Sequence, residues 1–359
     1  MQKSLDTTTS LEPLNVPENN QLTVGNLGES GLLDRILPRL RGAAALLGPG
    51  DDAALIAAPG GKFVITVDTL VQDQDFRLRW PNGFESSGFD VGWKSAAQNL
   101  SDVNAMGAIA TAAVISLTLP HGTPVSWVED LAEGFSAAVR DLGASYCAIA
   151  GGDLGRGGEL SITAAVTGML AMGKPVLRSG AKPGDLVAIN GVLGVAAAGL
   201  ALLDAPASHL DWSEQERALV FGQRRPSPPL GAGPEAARAG ATAMMDLSDG
   251  LLKDGRRMAV ASNVKIEIDS ASLRSYAAPL QTAAQVLSGD PMSWVLEGGE
   301  DHGLLATFPR GLEIPVGFKV IGEVSPRNTG DAAVLLDGIK IAEGGGYDHF
   351  RARSSWHST

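Results

Sequence analysis

The chain has 359 residues, 44% of them hydrophobic and 19% charged, a globular balance with enough length for two domains. With 40 Asp and Glu against 28 Lys and Arg, the net charge is −12, which argues against a nucleic-acid or other polyanion-binding face. Cys147 is the one cysteine, so an intrachain disulfide and a thiolate metal cage are both excluded. An anionic substrate would need positive charge from elsewhere, and a divalent metal is the expected source.

Residues 1–27 are polar and lack the apolar run of a signal peptide, so they read as a flexible extension, and the single cysteine fits a reducing cytoplasm. Gly28–Leu40 places Leu32, Leu33, Ile36, Leu37 and Leu40 on one side of a short helix. Gly48-Pro49-Gly50 forces a turn, with Asp51 and Asp52 just before a short apolar strand. An ordinary acidic turn and a site are both open there; a loose G-x-G-x-x-A match is contradicted by two aspartates where a phosphate would approach. Lys62–Leu70 is strand-like, with Asp68 at its end beside Thr66 and Thr69, and Asp73 and Asp75 follow in a loop expected to be solvated. Phe89–Ala110 reads as a helix in which Asp102 sits among Ala97, Leu100, Val103 and Met106, bordered by Asn99 and Ser101. An unpaired charge in that setting is costly, so Asp102 needs a partner. Lys94, two turns back, is too far along the helix to be an i,i+4 mate.

Thr111–Leu119 is a strand, Val125–Leu142 an amphipathic helix, and Tyr146–Gly152 an apolar strand running into two glycines before Asp153. Gly151 and Gly152 would let a backbone approach a ligand closely, and a plain turn is the other reading. With Leu160–Leu170 as a further strand, the first half is α/β or α+β. The passage AMGKPVLRSGAKPG, residues 171–184, is basic and turn-rich; it is the candidate boundary, and Arg178 its candidate functional cation. Leu186–Leu203 carries no charge but holds Asn190, Gly191, Gly194 and Gly199, which favours strand–turn–helix over a membrane span. Residues 204–230 are polar. In AMMDLSDGLLKD, Ala243–Asp254, a strand end, a tight turn and a helix start crowd Asp246, Ser248 and Asp249 together; helix capping is the alternative to a site. Val295–Thr307 repeats that style with Glu300-Asp301, and Ile314–Asp348 closes with two short strands and most of GGGYDHF.

Mg²⁺ prefers oxygen ligands and often bridges a few carboxylates to substrate phosphates. Asp52, Asp68, Asp102, Asp153, Asp246 and Asp249 are the set to bring together, and they could not all stay ionised side by side without cations. The histidines show no HExxH spacing, and there is no GxxxxGK[ST], no HRD/DFG pair and no GxSxG elbow. A metal-rich phosphoryl-transfer enzyme of another lineage remains.

GPGDDAALI, TVDTL, KSAAQNLSDVNAMGA, GGDLGRG, RSGAKPGD, RPSP, DLSDGL, GGED and GYDHF occur in one order over about residues 28–350. Together they resemble the thiamine-monophosphate kinase family, which shares a superfamily with aminoimidazole ribonucleotide synthetase, selenophosphate synthetase and a hydrogenase-maturation protein. The resemblance implies a two-domain aminoimidazole ribonucleotide synthetase-like α/β (α+β) fold: residues 28–172 binding ATP and Mg²⁺ and pairing their sheets in a homodimer, and an α/β domain at 173–350 completing the site. Residues 351–359 are left as a tail.

By position, Asp52, Thr66, Val67, Asp68, Asp102, Asp153, Asp246 and Asp249 match the family's places for several Mg²⁺ ions, with Asp102, Asp153 and Asp246 central to catalysis. Gly152, Asp153, Arg178 and Ser248 match nucleotide contacts, and Asp75, Glu300 and Gly344 substrate contacts. Val67, Asp75, Gly344 and GGDLG depart from the commoner residues, so Val67 could ligate only through its backbone. The implied reaction is ATP plus thiamine phosphate giving ADP plus thiamine diphosphate, with no nucleic-acid or membrane partner. Another ATP-using synthetase of the superfamily and a catalytically silent ATP- and metal-binding paralogue are the alternatives.

Overall fold

The structure, a computed structural model, describes residue 46 and residues 51–58, 61–328 and 333–341. These belong to one compact unit spanning residues 42–347. The expected features at 1–27, Gly28–Leu40, Gly48-Pro49-Gly50, Gly344 with GYDHF, and 351–359 lie outside the described residues.

Strands β1 (Ala54–Ala58), β2 (Gly61–Val71), β3 (Ala108–Leu119), β4 (Ala148–Arg156) and β5 (Ser161–Leu170) form a sheet in the order β1-β2-β5-β3-β4. Only β3 and β4 run parallel within it. Alternation sets the two faces: on β2, Val64 and Leu70 are buried while Val67 and Thr69 are exposed. On the buried face lies α1 (Gly88–Ala105), whose Ala96, Leu100 and Val103 share a core with Val64, Ala164 and Val166. Burying a Leu or Val of this kind contributes about 1.5–3 kcal/mol. Helix α1 starts where Ser87 Oγ accepts from Asp90 N and the Asp90 carboxylate accepts from Ser87 N, a reciprocal capping box. Helix α2 (Val125–Asp141) crosses α1 at close range; a Cβ on Gly92 would lie 2.0 Å from the Leu131 carbonyl oxygen.

In this first half two elements depart from the sequence expectation. Helix α1 ends at Ala105 rather than Ala110: Gly107, at φ +70°, turns the chain, and Ala108–Ala110 enter β3. The run AIA has no period that separates helix from strand. Strand β4 begins later than expected and continues through the glycines to Arg156, so Gly151 and Gly152 are strand and not a turn. The cause is local: a Cβ at Gly152 would stand 1.8 Å from the Ile115 carbonyl oxygen, so only glycine lets β4 lie against β3.

In the second half the elements are β6 (Leu186–Asn190), α3 (Val195–Asp204), α4 (Glu214–Arg224), α5 (Ala232–Ala239), β7 (Ala243–Leu247), α6 (Leu251–Ala261), β8 (Val264–Ile268), α7 (Ser270–Ala277), α8 (Gln281–Leu287), α9 (Pro291–Glu297), β9 (Gly303–Phe308), β10 (Phe318–Pro326), β11 (Val334–Leu336) and β12 (Ile339–Lys340). The second sheet has the order β12-β11-β8-β10-β6-β9-β7, with β8 and β11 parallel. Val187, Ile189, Met245, Leu247, Leu252, Met258, Ile266 and Leu305 belong to its core. Leu186–Leu203 resolves into β6 and α3, and among the described residues no helix is long and apolar enough to cross a membrane. Residues 204–230, legible only as polar, contain α4, begun by a Ser213–Glu216 capping box. The closing region has three strands rather than two short ones; β10 spans nine residues, and its register shift between Val320 and Gly322 breaks the alternation that would have marked it.

Helix α1 ties the two sheets together. Asp90 accepts from Arg224 at 2.9 Å and Arg225 at 2.6 Å, and Trp93 Nε1 donates to the Pro226 carbonyl. Gly233 N donates to Asn104 Oδ1, and Ser101 Oγ to Asp246. A helix of the first half therefore delivers its polar face to the end of β7.

Candidate active site

Three segments distant in sequence meet at that face. Asp52 precedes β1, Asp102 lies on α1 and Asp246 on β7, and each offers a carboxylate oxygen within 4.8 Å of the others. Thr66 Oγ1 donates to Asp102 at 2.7 Å, which supplies the partner the sequence demanded. Asp68 is adjacent, with its backbone N–H held by Asn99 Oδ1 at 3.1 Å. Asp246 accepts from Ser101 Oγ at 3.0 Å and lies 3.1 Å from His302 Nδ1.

The electrostatics of this knot are unfavourable in the protein alone. Burial pushes the Asp102 carboxyl well above the usual carboxylate range, and Asp68, Asp246 and Asp52 push it further. Asp52 is likewise raised by burial, against the lowering effect of Arg178, with Asp246 and Asp51 adding to the rise. Burial alone would lower the His302 imidazole, but its contact with Asp246 outweighs that and raises it. Asp52 Oδ2 is buried without a hydrogen-bond partner. Oxygen donors converging at short range, one of them unpartnered, fit a hard divalent cation.

Around the knot, Arg178 Nη2 lies 2.8 Å from Asp52 Oδ1, and its Nε 3.5 Å from Asp51. Arg178 is thus a site cation rather than a surface one. The Asp246–Gly250 turn packs backbone to backbone on the loop before β9: Glu300 N donates to the Ser248 carbonyl and His302 N to that of Leu247. Neither Ser248 nor Asp249 caps α6. Asp254, inside the helix, instead accepts from the N–H groups of Asp249 and Gly250 just before it and so ties the turn to the helix.

Other expected residues stand apart from the knot. Asp249 pairs with Lys253 at 2.9 Å and Arg257 at 2.7 Å. Asp153 lies on the exposed β4, where register aligns it with Ser116, Thr163 and Thr69. Thr69 and Thr163 hydroxyls touch at 2.8 Å, so this row is on the face opposite Thr66 and Asp68. Val67, 58% exposed, also faces that way, and its side chain is no ligand for the knot. Gly152 is accounted for by its approach to β3. Asp75 is not simply solvated: its carboxylate accepts from Val71 N at 2.8 Å and closes a turn after β2.

Sequence reasoning missed Lys94 and His302, and it left Asp51 open between an acidic turn and a site. Lys94 was set aside because no intrahelical mate was in reach, yet its partners come from other segments: Glu300 Oε1 at 2.5 Å and the Asp75 carbonyl at 3.0 Å. Its spacing of seven and eight residues from Ser101 and Asp102 puts all three on one helix face, a signal present in the sequence. His302 follows directly on the acidic pair of GGED.

Residues 50–170 match the family described as AIR synthase related protein, N-terminal domain. Thiamine-monophosphate kinase of Mycobacterium tuberculosis is 42% identical over 329 residues, covering 91% of this chain and 93% of its own. A solved structure described as AaThiL complexed with AMPPCP and TMP is 31% identical, covers 92% of this chain and 100% of its own, and superposes with a TM-score of 0.81. Thiamine Monophosphate Kinase from Aquifex aeolicus, also solved, gives 31% identity, coverage of 89% and 99%, and a TM-score of 0.76. The chain belongs to the thiamine-monophosphate kinase family.

Proposed function

We propose that this chain phosphorylates thiamine phosphate to thiamine diphosphate at the expense of ATP, the last step in making that cofactor. The observation that carries the reading is the meeting of Asp52, Asp102 and Asp246 from three segments, with the Asp52 Oδ2 atom left unpartnered. Family membership supports it, as does a relative solved with an ATP analogue and TMP.

The chemistry needs little from side-chain acids and bases. A phosphate monoester has its second pKa near ~6, so at neutral pH the attacking oxygen is already largely anionic. The obstacle is repulsion between two anions, and the transfer is direct and in line, without a phosphoenzyme. Asp52, Asp102 and Asp246, with Thr66 and Asp68 beside them, would hold Mg²⁺, which when bound supplies the positive charge that aligns donor and acceptor phosphates. Arg178 and Ser248, which stand at the family's nucleotide-contacting positions, would contact the nucleotide, Arg178 giving up its contact with Asp52 to do so. Glu300 and Asp75 face the cationic acceptor. Roles for Asp153, Gly152, Asp249, Val67 and Gly344 rest on the family resemblance alone, as does the division into domains near residue 172.

A homodimer and a cytoplasmic setting belong to the same reading. Val67 and Val114, both exposed, share one row across the first sheet through Ala165. An apolar sheet face of this kind suits pairing with a second copy.

Purified protein with MgATP and thiamine phosphate should form thiamine diphosphate one-for-one with ADP, measured by chromatography, and a chelator should abolish it. ADP without thiamine diphosphate would point to another acceptor of the superfamily. Nucleotide binding without turnover would indicate the silent paralogue.

A further inference from the structure

Lys94 is a cation that the phosphoryl-transfer reading leaves without a task. Its side chain is 3% exposed, and a buried ammonium is costly unless it is paired and hydrogen-bonded. The pairing it has is specific. Its Nζ lies 2.5 Å from Glu300 Oε1 and donates to the Asp75 carbonyl at 3.0 Å. Glu300 belongs to the loop before β9 and Asp75 to the turn after β2, so a single ammonium holds one residue from each half of the chain. Glu300 itself stays 30% exposed, with Lys94 behind it.

The Glu300 backbone is constrained as well. It has φ +67°, a left-handed conformation that a non-glycine residue keeps only where its surroundings over-determine it. Two backbone hydrogen bonds do so: Glu300 N donates to the Ser248 carbonyl at 2.8 Å, and His302 N to the Leu247 carbonyl at 3.1 Å. Those bonds fix the main chain but leave the carboxylate free to rotate about its side-chain torsions. Lys94 removes that freedom. On the other side, the Asp75 carboxylate is engaged with Val71 N, so the turn presents its carbonyl to Lys94 in a set orientation.

We infer that Lys94 is a positioning residue for the acceptor: it fixes the Glu300 carboxylate and the Asp75 turn in one arrangement, so that the cationic ring of the acceptor meets a preset oxygen. The inference rests on the proposed reaction, with Glu300 as an acceptor contact. It makes Lys94 act on acceptor binding through Glu300, with no part in nucleotide or metal binding. A preorganised carboxylate binds more tightly because less side-chain freedom is lost on association.

The test is a double-mutant cycle on the full-length protein, with Lys94→Met, Glu300→Gln and the pair, each assayed for kcat and for KM with thiamine phosphate and with MgATP. The expected result is a KM for thiamine phosphate raised about tenfold or more in either single variant, with kcat and the KM for MgATP within about threefold of wild type. The pair should be no worse than the weaker single variant, because both substitutions remove the same contact. Additive losses, or a KM for MgATP that rises in parallel, would overturn the inference and leave Lys94 a purely structural ion. Where Lys94→Met fails to fold, Lys94→Gln, which retains a donor for the Asp75 carbonyl, serves in its place with the same expected non-additivity. If wild type does not turn over thiamine phosphate, the functional reading itself falls and takes this role with it. Turnover by wild type with additive variants removes the Lys94 role alone.

Discussion

Asp102 and Asp301 are both aspartates set among apolar residues, the first half-buried and the second buried, and the protein treats them in opposite ways. Asp301 is buried at the N-terminus of α3, where its carboxylate accepts from the backbone N–H groups of Gly194 and Ala196. Those amides are among the donors a helix start leaves unsatisfied, so carboxylate and helix complete one another. Asp102 has one hydroxyl donor and otherwise faces Asp68, Asp246 and Asp52. Burial of a carboxylate is therefore no mark of a site by itself. What marks the knot is negative charge that the fold collects and only partly offsets, through Arg178 and His302, which a protein maintains only where a ligand compensates.

The sharpest way to break that contrast is Asp102→Asn. Turnover should fall by about a thousandfold or more, comparable with losing a principal electrostatic contact in a transition state. Without metal, the variant should unfold at a temperature equal to or above that of wild type, because one of several mutually repelling carboxylates has been neutralised. Added Mg²⁺ should then stabilise wild type much more than the variant. Thermal unfolding with and without Mg²⁺, alongside the turnover assay, reads both effects. A folded variant with normal activity would remove Asp102 from the metal set.

Asp301 should show its character in stability instead. Burial pushes its carboxyl up to about 6, against the lowering effect of the two amide hydrogen bonds. An unfolded chain releases this proton near pH ~4, so between roughly pH 4 and 6 the folded state binds more protons than the unfolded one. The contribution of this group to stability therefore falls as pH rises through that window and is flat above it. Relative to Asp301→Asn, which cannot titrate, wild type should lose up to roughly 3 kcal/mol between pH 4 and 7. Denaturant unfolding across that range measures the difference, and parallel pH profiles for the two proteins would contradict the assignment.

How much of this was legible in the sequence depends on whether the relevant contacts are local. Strand β7 and the turn after it were readable because a buried apolar run stopping at Asp246-Leu247-Ser248 is local information. Asp102 could be singled out because a charge inside an alanine-rich helix is locally anomalous. The limits of α1 and β4 were not readable: alanine and glycine carry little periodicity, and the Gly152 approach to Ile115 is a tertiary fact. Glu300-Asp301 looked like one acidic motif, yet Glu300 turns to Lys94 while Asp301 caps a helix. Adjacent residues with the same charge were separated only by knowing which distant segment each one meets. Lys94 shows the converse: its place on the Asp102 side of α1 was readable from spacing, but its partners lie on two other loops and were not.

The smallest effect expected is also the one that locates the edge of the knot. Ser101 is fully buried and donates to Asp246 Oδ2 at 3.0 Å, while His302 meets the same oxygen at 3.1 Å. Ser101→Ala removes one donor and leaves the other, so Asp246 keeps its place but is held less firmly. A hydrogen bond to a charged group contributes about 1.5–3 kcal/mol, and the surviving His302 contact should keep the loss near the lower figure. In the assay this corresponds to roughly a tenfold rise in the Mg²⁺ concentration giving half-maximal rate, with little change in the rate at saturating Mg²⁺. If Ser101 only orients Asp246, excess metal restores the rate. A loss as large as that of Asp102→Asn, persisting at saturating Mg²⁺, would instead place the serine hydroxyl among the groups that touch the reacting phosphates and widen the site beyond its carboxylates.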